Sequence, residues 1–239
     1  MILSSDKRIF FGSKSIKFTV ANSFYPTKPS QIDRFFQRMK TIFPNLLSAF
    51  LGFTFWGAGM SKLYAGYQFI GWIGPRWLVE RLAEFNLGLY AQFIAISQIV
   101  IGFMLLTTRF KLIGSIMLVP MLVNILMVTI SQNWTGTPYV LAVLLLMNAC
   151  LLWQYRDYFK PLVDEAFVHA PQRTKSIRSL AGHAVWTAGL GLNLLSIAAS
   201  FSHLYSAFAL AGIGVMLGIL AFSVDRYSLP SKSNPPSQA

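Results

Sequence analysis

The chain has 239 residues, of which 54% are hydrophobic and only 12% charged, about half the charged share of an ordinary soluble domain. No water-soluble core of this size buries so much apolar surface, so lipid is the expected solvent for most of it. The net charge of +12 does not point to nucleic acid, because the basic residues sit between apolar blocks rather than on a polar fold that would display them.

In chain order, residues 1–40 form a basic N-terminal tail with eight Lys/Arg against Asp6 and Asp33. Lys7, Arg8, Lys14 and Lys17 interrupt Met1 to Val20, so no signal peptide is expected there. Within the tail, Gln31 to Lys40 has the pattern of a short amphipathic helix, with Ile32, Phe35, Phe36 and Met39 on one side. Such a helix suits an anionic membrane surface, and a solvated tail is the competing reading. The first span is expected over Ile42 to Gly66, with Pro44 tolerated in its first turn. Gly57, Gly59 and Ser61 give this span a face that a second helix can approach closely.

The connection from Tyr67 to Tyr90 opens with a turn-rich aromatic segment, 71–75. Arg76 to Leu89 then places Leu78, Leu82, Phe85 and Leu89 on one stripe, with Glu80, Arg81 and Glu84 away from it. That period predicts an interfacial or re-entrant helix at about 76–89, with Arg76 and Glu80 spaced for a weak pair. Trp72 and Trp77 suit an interfacial aromatic belt. A second span follows over Ala91 to Thr108, then a tight basic turn at 109–111. The third span is Leu112 to Ser131, with a kink expected at Pro120, and the fourth is Tyr139 to Gln154. A lone cysteine, Cys150, lies in the fourth; it has no partner for an internal disulfide and is expected to be a small buried hydrophobe. Residues 159–179 read as a polar linker. A hairpin of two further spans, Leu180 to Ser200 and Leu204 to Val224, precedes a Pro/Ser-rich tail at 225–239, expected to be disordered.

These elements predict an all-α integral membrane protein: a four-helix transmembrane bundle over 41–158 plus a two-helix C-terminal transmembrane hairpin at 180–224. With the N-terminus inside, all of the 20 Lys/Arg except Lys62, Arg76 and Arg81 fall on inner segments. The positive-inside rule therefore predicts six spans in a plasma (inner) membrane with both termini cytoplasmic.

Candidate chemistry is sparse. The six expected spans hold no acidic residue, which argues against a proton relay built on intramembrane carboxylates. Their polar residues are Thr54, Lys62, Gln92, Gln98, Asn124, Asn148 and Asn193. Intramembrane amides commonly tie helices together; the functional reading is a polar pocket for a quinone head group or similar ligand. Lys62, near the outer end of its span, has three expected fates. It snorkels, it pairs with Glu80 or Glu84, or it hydrogen-bonds Gln98. His183 and His203 lie about 30 Å apart along a helix and cannot share a haem; His169 is in the linker. No metal cluster, phosphate loop or Ser-His-Asp set is found. Asn133-Trp-Thr135 matches a glycosylation sequon, a pattern too common to weigh.

Phe55-Trp-Gly-Ala-Gly-Met-Ser-Lys-Leu63, the amphipathic connection, Gln98-Ile-Val-Ile-Gly102 and Leu105-Leu-Thr-Thr-Arg-Phe110 together resemble the DoxX family over about residues 45–160. Gly59 to Leu63 and the order of elements carry most of the resemblance. It implies a four-helix membrane unit. Some DoxX proteins are the membrane subunit of a thiosulfate:quinone oxidoreductase, others associate with redox or detoxification proteins, and similar four-helix proteins act in assembly or transport. Lys62 matches the motif lysine and Gly102 the motif glycine, whereas Gln98 replaces the usual glutamate. The expected function is thus an accessory membrane subunit of a redox system, with quinone the candidate cofactor. A non-enzymatic assembly or chaperone-like protein is the alternative, and a small-solute transporter ranks third. The expected partners are the lipid bilayer and a redox protein. The candidate pocket comprises Lys62, Gln98, Asn124, Asn148, Glu80 and Glu84.

Overall fold

The computed structural model describes residues 31–71, 74, 77–163 and 178–227. The tail to residue 30, Trp72, Arg76 with its expected pairing to Glu80, the linker from 164 to 177 and the tail from 228 lie outside the described residues. Among those described, all regular structure is helical: α1 (Gln31–Leu63), α2 (Leu78–Ala83), α3 (Gly88–Leu106), α4 (Lys111–Ser131), α5 (Thr137–Trp153), α6 (Arg156–Val163), α7 (Leu180–Ser200) and α8 (Leu204–Tyr227).

Five segments are long and apolar enough to cross a membrane: Ile42–Leu63, Gly88–Leu106, Lys111–Ser131, Leu180–Ser200 and Leu204–Tyr227. They make this a multi-pass membrane protein. Helix α5, at 17 residues, is apolar but falls at the short end of what a bilayer requires. Large apolar side chains such as Phe93, Leu146, Ile213 and Met216 point outward, as lipid rather than water demands.

Several boundaries differ from the expected ones. Helix α1 stops at Leu63 because the chain turns through Gly66 (φ 61°) and Tyr67 (φ 55°) in a 3-10 turn, Ala65–Tyr67. The interfacial helix is only six residues long: Asn86 takes φ 61°, which ends it and leaves Leu89 to α3. Helix α4 begins one residue earlier than expected, at Lys111, and holds Pro120 in its interior. Part of the expected polar linker is helical, as α6. Helix α8 continues past Val224 to Tyr227, so Asp225 belongs to a helix and not to a disordered tail.

Contacts divide the chain into two units, 1–38 and 39–239. In the second, α1 and α3 share a close crossing. A Cβ added at Gly52 would fall 2.1 Å from the Leu106 nitrogen, and one at Gly102 would fall 2.3 Å from the Trp56 nitrogen. Ser48 Oγ donates to the Leu105 carbonyl at 2.9 Å in the same contact. Of the small residues expected to admit a neighbouring helix, Gly59 does so, at 2.6 Å from the Ala95 carbonyl oxygen, whereas Gly57 has only an ordinary contact.

Two apolar clusters flank this crossing. One joins Leu47, Leu51 and Phe55 of α1 and Leu105 of α3 to Leu118 and Leu122 of α4 and Leu144 and Leu151 of α5. The other joins Trp56, Met60 and Tyr64 of α1 and Ile99 and Phe103 of α3 to Trp186 of α7 and Ala207, Ala211 and Ala221 of α8. The α7–α8 hairpin is thus packed on the same two helices that carry α4 and α5. Gly189 and Gly214 bring its arms together, each site having room for hydrogen but not for a methyl group. Cys150, expected inside, is exposed on α5.

Candidate functional site

Among the described residues, buried polar groups occur at several places, and the one at Lys62 borders an enclosed space between helices. In the last turn of α1, Lys62 is 6% exposed. Its Nζ donates to the Ala58 carbonyl at 2.9 Å and to Gln98 Oε1 of α3 at 3.0 Å. Snorkelling is not adopted, for a geometric reason. Side chains on a helix lean toward its N-terminus, so a lysine at the C-terminal end leans back into the bundle.

Lys62 and Gln98 border a cavity of about 40 Å³ whose other walls include Thr54, Phe55, Leu78, Trp134 and Leu144. That space accommodates a few waters. A drug-sized ligand pocket is roughly 300–1,000 Å³, so the space as it stands is too small for one. The lining holds no carboxylate.

The remaining candidates are dispersed. Glu80 and Glu84 are exposed and do not reach Lys62, which corrects the expected pairing. Glu84 instead pairs with Arg81. The Tyr67 phenol is pushed up to about 12, by burial first and then by its hydrogen bond to Glu80 and the charge of that carboxylate. The physical reason for the correction is amphipathicity: α2 buries Leu78 and Leu82 against Ala91, which turns its acidic side outward. Asn124 is exposed on α4 and does not line the cavity at Lys62. Asn148 is fully buried, but its Nδ2 donates to the Ser115 carbonyl at 2.9 Å, so it joins α5 to α4 away from Lys62.

Two polar groupings were not anticipated from sequence. Asn193, Ser196 and Ser200 form one stripe of α7 against α1. Trp56 Nε1 donates to Asn193 Oδ1 at 2.9 Å, the Tyr64 hydroxyl to Ser196 Oγ at 2.9 Å, and the Ala65 amide to Ser200 Oγ at 3.1 Å. The i, i+3, i+7 spacing of small polar residues was the available signal.

The other grouping is ionic. Arg109, 1% exposed, donates through Nη1 to Asp225 Oδ2 at 2.6 Å and through Nη2 to Oδ1 at 3.3 Å. Ser179 adds its amide and hydroxyl to Oδ1 at 3.0 and 2.9 Å, and Trp186 Nε1 donates to Thr107 Oγ1 nearby at 2.9 Å. The α3–α4 turn is therefore fastened to both arms of the hairpin. His183 stacks on Phe110, and no group of three potential metal ligands exists among the described residues.

No family model, curated protein or solved structure matches the chain.

Proposed function

We propose that this protein is a DoxX-like membrane subunit serving a redox partner, and that Lys62 donates a hydrogen bond to a carbonyl oxygen of a quinone head group. The carrying observation is a buried amine held by Gln98 at the edge of an otherwise apolar cavity. An intramembrane ionisable group facing the interior is costly and is kept where it meets a ligand or partner. Support comes also from the motif around Lys62, whose lysine and glycine lie in the α1–α3 contact. In this reading α1, α3, α4 and α5 are the four-span bundle, α7 and α8 the added hairpin, and both termini are cytoplasmic. The membrane is the plasma (inner) membrane.

The volume of the cavity favours a second reading, in which Lys62 and Gln98 only join α1 to α3 and the protein assists assembly of other membrane proteins. Purification in a mild detergent, followed by solvent extraction and absorbance, separates the two. The quinone subunit carries co-purifying quinone that Lys62→Met removes while the protein stays monodisperse. Absence of quinone from the unmodified protein rejects the first reading and leaves the second.

A further inference from the structure

As an ammonium, the ordinary form of lysine near neutral pH, Lys62 has no counter-charge among the described residues. Its Nζ meets two neutral acceptors, the Ala58 carbonyl at 2.9 Å and Gln98 Oε1 at 3.0 Å, and it belongs to no described ion pair. No Asp or Glu lines the adjoining cavity. Glu80 and Glu84, the acidic residues closest in sequence, are exposed. At 6% exposure the amine draws little on bulk water, and buried charges are otherwise paired. Two carbonyl dipoles spread its charge without cancelling it. An ammonium has three N–H groups, so one remains after Ala58 and Gln98 are served. Gln98, in turning Oε1 to the lysine, leaves its Nε2 as a neighbouring donor. Both residues border the same open space of about 40 Å³.

We propose that the Lys62 cavity binds a monovalent anion of halide size, held by the remaining N–H of Lys62 and by Gln98 Nε2. Hydrogen bonds between an ammonium and an anion are among the strong ones, and an ionisable group facing the interior of a bundle ordinarily meets a partner or an ion. The size follows from the space: room for a few waters is room for one chloride or bromide. A divalent oxyanion such as sulfate is bulkier and exceeds the single positive charge. Lys62 stands in the last turn of α1, and Thr137, another wall residue, opens α5. The site therefore lies close to helix ends, and an ion from water need not cross the bundle. This inference does not rest on the quinone reading. It needs only the charge and the space, and a quinone carbonyl would compete for the same N–H.

The test uses the full chain in detergent with sodium gluconate as background salt, replaced stepwise by sodium chloride, bromide or sulfate at constant ionic strength. Thermal melts report stabilisation, and broadening of the chloride NMR resonance reports bound chloride. Chloride and bromide should raise the melting midpoint to a plateau, and sulfate should not. Lys62→Met should lose both the halide-dependent rise and the broadening, while Arg81→Gln, exposed on α2, should keep both. Thr54→Leu, which narrows the cavity and retains the amine, should also lose them, so the proposal stays testable if Lys62→Met fails to fold. Equal midpoints in every salt overturn the proposal and leave the cavity to water. A halide response that survives both cavity variants, or that disappears in Arg81→Gln, overturns it as well. Quinone retention is measured separately, so its absence rejects the quinone reading without touching the halide result.

Discussion

Arg109 can be buried because Asp225 is charged. Removing one partner of such a pair strands the other, at a cost of about 3–5 kcal/mol, whereas replacing both with apolar residues is often neutral. Asp225→Asn should therefore lower the unfolding midpoint strongly, and Arg109→Met with Asp225→Leu should recover most of the loss in the same thermal melt. Little of this pair was legible in the sequence. Arg109 read as one more basic turn residue and Asp225 as the first residue of a tail, since their apposition depends on contacts 116 positions apart. The Lys62–Gln98 contact was legible as one of three alternatives, because a buried amine has few acceptors to choose from. The competing pairing with Glu80 or Glu84 failed on information already present in the sequence, the apolar stripe of α2.

At the scale of the helices, the α1–α3 crossing depends on two absent methyl groups. A side chain at Gly102 meets the backbone of α1, which cannot rotate aside as a flexible side chain does. Overpacking of this kind typically costs 1–3 kcal/mol, and it would propagate to Lys62 and Gln98, which sit on the same two helices. Gly102→Ala should lower both thermal stability and any quinone retention, whereas alanine at Gly191, which has open space around it, should change neither. Apolar length and periodicity were enough to expect α1, α3, α4, α7 and α8. The end of α2 was missed because Asn86 adopts a left-handed conformation that periodicity does not reveal. Helix α6 was missed because its charges made it resemble a linker.

For the molecule as a whole, the sequence reading treated the C-terminal hairpin as an addition to a complete bundle. The hydrogen-bonded stripe on α7, the Trp186–Thr107 contact and the Arg109–Asp225 pair fasten it instead to α1 and α3, so it shares their core. Polar contacts of this type contribute about 0.6–2 kcal/mol each in a membrane. The topology proposed from charge distribution has a direct check. After Cys150→Ala, a cysteine placed at Thr135 should react with an impermeant maleimide from outside the cell, and one placed at Thr174 only after permeabilisation. The reverse pattern would invert the orientation.

The clamp at the α3–α4 turn also has a history in time. Arg109 is made 116 residues before Asp225, a delay of about 6–23 s at ordinary rates of synthesis of about 5–20 residues per second. Throughout that interval the guanidinium has no counter-ion from α8. Under the topology proposed above, its positive charge then acts to hold the nascent turn on the inner side of the bilayer. Once α8 arrives, the charge is neutralised and withdrawn. Under that topology the same arginine is available as an orientation signal before α8 is made and is an internal fastening once Asp225 is in place, and the order of synthesis separates the two roles.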